Sequence, residues 1–574
     1  MDDVRDRDRR NILRRTTNRR TLLKGGAAAL ALSRLDLATA AGGASPHVAR
    51  VLNQDVQPGG TLTYGLSFDF DGTLDPGVTN FDSTIRVTLN ICEPLVWMPS
   101  ATEIKPGLAE SWDVSQDGKE YTFHLKKGVT FHDGTPFNAD AVKFTFDRVI
   151  AADKATASGG TPDPNTTITP GQAHDQIGTY DHSEIIDDYM IKMVLSQPFS
   201  PFLSGLNGYL GIVSPTAVQK MGLAEFARAP VGTGPYKFKE WVEADHATIE
   251  RNPDYNWGSS FFKHPGAAYF DEIIYKIIPD PAVRTGTLTS GETQYIDEID
   301  PLQVEDLKSN SDLVVIDQGQ PGSGRTLLVN ISRPDRPVAD AKVRQALQYA
   351  VDKDAFNQAV FAGLNAPAAS PLMKVTLGYD PATEQMFSYD KSKAESLLEE
   401  AGWAKGSGDM REKNGKPLSL YFPIIDRPVD NAMATSLQGA FREIGIDMTV
   451  EPMERARYLQ TWKEENNYDV SFMWFSYADP DVLRTIFYSK NIGAFNRAQY
   501  NNPDVDKMLE DAAASSDPEV RKDLYSKVQK QVLTDAVVVP LVDTIAHNAK
   551  QKKLADDFLD FLASYVWMND AHFA

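Results

Sequence analysis

Cysteine is almost absent from this chain of 574 residues: Cys92 stands alone. That excludes an intramolecular disulfide and any metal site built from thiolates. No apolar run approaches the roughly 20 residues needed to span a bilayer. A basic surplus is missing too. With 58 Lys+Arg against 79 Asp+Glu the net charge is −21, which rules out a nucleic-acid backbone as the main partner, because no cations are available to release its counterions. There is no Gly-x-x-x-x-Gly-Lys-Ser/Thr, no Gly-x-Ser-x-Gly and no His-Glu-x-x-His, so phosphate-loop, nucleophile-elbow and zinc-protease chemistry lack their signatures. What is present is a globular composition, 42% hydrophobic and 10% aromatic, over a length that fits roughly three or four structural units.

Charge is unevenly placed. Residues 1–41 carry 10 Lys/Arg against 5 Asp/Glu, ahead of a strongly acidic remainder. The stretch Asn18-Arg19-Arg20-Thr21-Leu22-Leu23-Lys24, the weakly apolar run Ala27 to Leu32 and the small residues Ala38-Thr39-Ala40-Ala41 read as an export signal of the twin-arginine type. Cys92 lies well past it and cannot carry a lipid, so the expectation is a soluble periplasmic protein without a lipid anchor. Within Ile91-Cys92-Glu93-Pro94-Leu95 the cysteine reads as a small buried hydrophobe.

Residues 119–125 alternate as a strand, and 139–150 form a helix with Asn138 as its cap. Residues 155–176, rich in Gly, Pro, Thr, Asp and Asn, read as a surface loop. Strands are expected at 236–241 and 273–278, with a short helix after Pro281. The clearest pattern runs from 418 to 490: strands at 418–425, 446–450 and 470–475 alternate with helices at 428–444 and 455–465, and a third helix follows Asp479-Pro480. Strands apolar on both faces alternating with helices predict a parallel, doubly wound α/β lobe. Ligands bind such sheets at the carboxyl ends of the strands. Those ends carry Asp426-Arg427, Pro452-Met453-Glu454 and Ser476-Tyr477-Ala478-Asp479, without the Gly-x-Gly-x-x-Gly of a dinucleotide site.

Positive signs of catalysis or metal binding are not found. His124 and His132 flank the turn Asp133-Gly134-Thr135-Pro136, with no third ligand placed by spacing. In Asp69-Phe70-Asp71-Gly72-Thr73-Leu74-Asp75 the glycine comes too early for a calcium loop. Ser388-Tyr389-Asp390-Lys391 lacks the companion motifs of a Ser-x-x-Lys enzyme, and Asp390 reads as a helix cap. Carboxylate pairs for glycoside hydrolysis carry no specificity among 79 acidic residues. No cofactor and no metal are expected.

One set of motifs is specific. Pro106–Trp112, Lys119–Val129 and Phe131–Phe137 resemble the signature of the family 5 extracellular solute-binding proteins, which include dipeptide, oligopeptide, nickel and opine receptors of ABC importers. The likeness continues through Gly232–Tyr236, Val343–Leu347, Ala350–Lys353, Asn502–Asp506 and Asp517-Pro518-Glu519 with Arg521, across essentially the whole chain after the leader. It implies an α/β, periplasmic-binding-protein type II-like fold: two lobes of mixed and parallel sheet with flanking helices, and an extra subdomain in the first lobe. Residues 58–90, 233–325 and 545–574 would form lobe I, 91–232 the subdomain, and 326–544 lobe II. Paired hinge strands would let the lobes close on a small-molecule solute, for delivery by a monomeric receptor to an ABC permease and ATPase complex.

The sequence departs from the peptide-binding members at one position. Their Trp-x-x-Asp supplies the carboxylate that meets a peptide's α-ammonium; here Trp474 is followed by Phe475, Ser476 and Tyr477. Asp479, before Pro480, reads first as a helix cap. A ligand lining of Phe68, Asp69, Phe70, Asp426, Arg427, Glu454, Arg455, Trp474, Tyr477, Asp479, Asn496 and Arg497 is expected, with Tyr477 stacking on the ligand and Arg427 or Arg455 clamping an acid group. The favoured ligand is sugar-containing or opine-like. A di- or oligopeptide is the alternative, and a secreted hydrolase, a peptide chaperone or a sensor receptor are rivals of other classes.

Overall fold

Strand Thr61–Leu66 buries Leu62, Tyr64 and Leu66 completely, so it needs neighbours on both edges and cover on its faces. It lies parallel to Glu272–Ile277 on one edge and to Tyr295–Ile296 on the other. Four further strands, Tyr236–Val242, His246–Arg251, Leu313–Gly319 and Ile545–Gln551, add by antiparallel pairing to complete a seven-stranded sheet. The computed structural model describes residues 56–574 except 71, 80, 164–166, 170, 407 and 563. The export leader read at 1–41 lies outside the described residues.

Two consecutive strands leave this sheet for the other lobe. Leu313–Gly319 continues through Gln320-Pro321 into Gly322–Val329, and Val538–Asp543 continues through Thr544 into Ile545–Gln551. The outgoing and returning strands pair antiparallel on both sides of the crossing, and the Gln320 N–H donates to the Thr544 carbonyl at 3.0 Å between them. Beyond the crossing, Leu327, Leu328 and Val329 are fully buried, each such side chain contributing about 1.5–3 kcal/mol through burial. The hinge is therefore anchored deeply in the second lobe, while on the first-lobe side Leu313 and Val315 are only partly buried beside Ala549.

In the second lobe Ser419–Ile425 and Asp447–Met453 pair parallel along their whole length. The intervening helix Pro428–Arg442 has Pro at its first position. It is followed by Gly445 at φ 86°, where a Cβ would lie 2.7 Å from the Arg411 side chain, so only glycine fits. The third strand departs from expectation. Val470–Ser476 pairs antiparallel with the hinge strand Gly322–Val329, in a separate four-stranded sheet with Val538–Asp543 and Ala366–Pro367. Burial on both faces reports cover, not the direction of the neighbouring strand, and the crossing chain takes that edge.

The four-stranded antiparallel sheet of Ala109–Val114, Glu120–Leu125, Tyr180–Asp187 and Met190–Leu195 packs with helix Ala139–Val149 into an apolar core that also takes in Ile85, Leu89 and Trp567 of the first lobe. Asn138 caps that helix, its side chain accepting from the Ala141 N–H at 3.2 Å. Residues 155–176 are not loop throughout. Helix Ala151–Ala157 runs into their start, favoured by four alanines, and Gln172–Ile177 closes them with five buried residues. His132 is half-buried beside the Gly234 carbonyl at 3.0 Å, and desolvation lowers its pKa to about 4. Cys92 is buried.

Candidate functional site

The carboxyl ends of the second-lobe strands face the first lobe. Arg427 follows Ser419–Ile425, Arg455 follows Asp447–Met453, and Trp474 lies near the end of Val470–Ser476. Opposite them stand Phe68, just beyond strand Thr61–Leu66, and Phe81, at the start of helix Asp82–Thr88. The Arg427 guanidinium lies 5.0 Å from the Phe68 ring centre and 4.9 Å from that of Trp474. Its Nε donates to Asp430 Oδ2 at 2.7 Å. Arg455 lies 4.4 Å from the centre of the Phe81 ring. Each cation therefore meets an aromatic face across the gap between lobes, a contact worth about 0.5–2 kcal/mol according to how dry it is.

Arg455 belongs to a wider positive cluster. Burial first, and then the charge of Arg497, pulls its pKa down to about 10. Lys463 is lowered in the same way, by burial and then by Arg497 and Arg455. Arg497 lies 4.6 Å from the Trp462 ring centre, and its Nη1 donates to Tyr458 Oη at 2.7 Å and to the Phe472 carbonyl at 2.8 Å. Arg455, Arg497 and Lys463 thus gather positive charge on one face of a chain whose net charge is −21.

Other expected lining residues have structural positions. Asn496 is fully buried; its Nδ2 donates to the carbonyls of Tyr488 and Tyr500, and its Oδ1 accepts from the Tyr500 N–H at 3.0 Å. It staples a loop and has no amide group left for a ligand. Phe70 is buried in the first lobe's core, edge-to-face with Trp241. Asp69 is half-buried and accepts from the Phe70 N–H at 2.7 Å, and burial raises its pKa. Asp426 and Glu454 are exposed, and Asp426 accepts from Asn431 at 2.8 Å. Asp479 bonds the Asp481 N–H at 2.8 Å and Arg521 at 2.6 Å. The helix it precedes begins only at Val482.

The sequence places Tyr477 on the ligand, stacking in the cleft. Instead it is 5% exposed, packed among Leu328, Met473 and Val482, with its hydroxyl 3.5 Å from Asp175 of the first lobe. The loop after the strand folds back under the lobe interface, its Tyr477 N–H donating to the Pro321 carbonyl at 3.0 Å.

Sequence reasoning missed Arg325. It sits on the hinge strand at a break in register, between Ser323 and Thr326 toward one neighbour and between Arg325 and Thr326 toward the other. Such a bulge turns a side chain out of the ladder. The Arg325 guanidinium lies 4.5 Å from the Trp474 ring centre, on a ring that also takes Arg427. A charged residue inside Gly-Ser-Gly-Arg-Thr-Leu-Leu-Val was the available signal, since a buried charge needs a purpose.

Comparison with known proteins gives this arrangement a context. The family model described as "Bacterial extracellular solute-binding proteins, family 5 Middle" matches residues 103–495. The chain belongs to this family. Among curated relatives, the dipeptide-binding protein of Escherichia coli (strain K12) is 28% identical over 487 residues, covering 82% of this chain and 86% of its own. The glutathione-binding protein of Pectobacterium atrosepticum is 28% identical over 496 residues, covering 84% and 88%. Among solved structures, the ABC transporter-associated periplasmic binding protein DppA from Helicobacter pylori, in complex with peptide STSA, aligns with a TM-score of 0.78 at 27% identity, covering 90% of this chain and 98% of its own. The binding protein AgaA of A. tumefaciens R10, in complex with agropinic acid, aligns with a TM-score of 0.75 at 25% identity, covering 90% and 99%. As a family 5 member the protein is an extracellular solute-binding protein, not an enzyme, with the two-lobed α/β fold of its relatives.

Proposed function

We propose that the protein is the receptor of an ABC importer that captures a small, acidic, opine-like solute between its lobes and hands it to the permease and ATPase. The observation that carries the ligand class is the second-lobe face of Arg427, Arg455, Arg497 and Lys463, set against Phe68 and Phe81 of the opposing lobe. Closure brings this cation-rich face against the opposing lobe, where an anionic group on the ligand adds favourable charge–charge contacts. A neutral sugar offers no such group, so the sugar-containing ligand is set aside. In this reading residues 1–41 direct export by the twin-arginine route to the periplasm, and the receptor works as a monomer with 326–544 as its second lobe.

A peptide ligand is the second reading, favoured by the dipeptide-binding relative. It needs a carboxylate for the α-ammonium. Asp479 is engaged with Arg521 and the Asp481 N–H, which leaves Asp69 or Glu454 to serve. Calorimetry with N-carboxyalkyl amino acids, dipeptides, longer peptides and neutral sugars separates the readings. Tightest binding of an N-carboxyalkyl amino acid is expected. Binding of neutral sugars alone would overturn the acidic-ligand reading.

A further inference from the structure

The Arg325 side chain makes no hydrogen bond or ion pair among the described residues, although its Nε and Nη1 are buried. The side chain lies between the rings of Trp474 and Phe361, 4.5 Å and 5.6 Å from their centres. Hinge-strand geometry keeps it there: a Cβ on the preceding Gly324 would meet the Val542 carbonyl oxygen at 2.6 Å, so the strand passes too close to its neighbour for another residue. Burial lowers the Arg325 pKa, and the charges that oppose this loss are Glu298 and Asp430. Two guanidinium nitrogens buried against rings without an acceptor destabilise the free protein unless a ligand supplies the acceptor.

Asp430 repeats the pattern with opposite sign. Its Oδ2 takes Arg427, while its Oδ1 is buried and unpartnered. It feels the charge of Arg325 yet forms no ion pair with it. Glu298, on the first lobe, is exposed and holds φ 44°, a left-handed backbone rare outside glycine, with its carbonyl pinned by Arg284. Arg325 and Arg427 balance Asp430 and Glu298, so the group that fits among them carries both signs.

We propose that Arg325 and Asp430 form a subsite for an amino-acid-type end of the ligand, with Arg325 holding a carboxylate and Asp430 Oδ1 holding the amine on the same carbon, while the charge of Glu298 favours the amine from the first lobe. The Arg455–Arg497–Lys463 cluster then takes a second, distal acid. This deepens the reading of the cleft above and rests on it. The ligand class is a zwitterionic amino-acid end plus a separate acid group.

Titration calorimetry on the full-length mature protein tests it with three probes: γ-glutamylglycine, which has both features; glutarylglycine, which lacks only the amine; and an N-(1-carboxyethyl)amino acid. The wild type is expected to bind γ-glutamylglycine or the N-carboxyethyl compound, and to bind glutarylglycine at least about tenfold more weakly. Arg325→Met should weaken the amino-acid probes by about a hundredfold. Glu298→Gln, at an exposed position that folding tolerates, should narrow the gap between γ-glutamylglycine and glutarylglycine. Binding by Arg325→Met within threefold of wild type would overturn the subsite and leave the acidic-ligand receptor standing. A wild type that ignores all three probes but binds neutral solutes would overturn both.

Discussion

Arg484 offers a sharp test of how the lobe interface is held. Its Nε donates to Asp481 Oδ2 at 2.7 Å, and its Nη1 lies 3.6 Å from Asp175 of the first lobe. Tyr525 donates to Asp481 Oδ1 at 3.0 Å, Tyr477 reaches Asp175, and Arg521 pairs with Asp479 at 2.6 Å. Three carboxylates thus share two guanidiniums. Burial raises the Asp481 pKa to about 6, against the pull of Arg484 and with the push of Asp479. Because this folded-state value lies above the unfolded one, the Asp481 contribution is complete below about pH 4 and is lost as pH rises through 6, a change of about 3 kcal/mol at most. Arg484→Met removes the countercharge. At pH 8 it should cost about 3–5 kcal/mol, because a buried carboxylate is left unpaired or must take up a proton. At pH 5, where Asp481 is already protonated, the cost should fall to about 2–3 kcal/mol, the worth of the lost hydrogen bonds to Asp481 and to the Asp175 carbonyl and of the Asp175 contact. Urea denaturation of wild type, Arg484→Met, Asp481→Asn and the double variant at both pH values measures this directly. Equal losses for Arg484→Met at pH 5 and pH 8, or single effects that simply add in the double variant, would refute the reasoning.

Asn496→Ala should destabilise by about 3 kcal/mol in thermal or urea melts, because three buried hydrogen bonds lose their partner, while ligand affinity in the surviving folded fraction stays unchanged. Tyr477→Phe should cost less than about 1 kcal/mol, since its hydroxyl sits 3.5 Å from Asp175, whereas Tyr477→Ala should cost about 3–5 kcal/mol by opening a cavity in the core; similar losses for both would contradict the packing role. Changing Arg19 and Arg20 together to Lys should strand precursor in the cytoplasm, and normal processing in a fractionation experiment would remove the twin-arginine assignment.

Much of the framework was legible from residue pattern. The helix behind Asn138, the Pro428 start and the Gly445 stop follow from local chemistry that tertiary contacts do not override. The direction of Val470–Ser476 was not legible, because its partner arrives from about 140 residues earlier through the hinge. Arg427, Arg455 and Trp474 were readable as strand-end residues, since the strand pattern fixes where a sheet presents its carboxyl ends. Tyr477 and Asn496 were misjudged because their burial comes from loops folding back, which no period reports. Arg325 stood out as a charge in an apolar strand, but its place in the cleft was not legible, for a related reason. Its exposure to the cleft depends on a bulge, and a bulge is a property of two paired strands rather than of one.

The central claim is that an acidic small molecule is what the closed cleft holds. Native mass spectrometry of the protein purified from its own periplasm without denaturation, followed by denaturing release and identification of the bound species, addresses that claim most directly. The account predicts one chemically intact small molecule per chain, carrying at least two acid groups and an amine, lost from Arg325→Met. Recovery of a neutral sugar or of a chemically altered product, with Arg325→Met retaining it, would contradict the account.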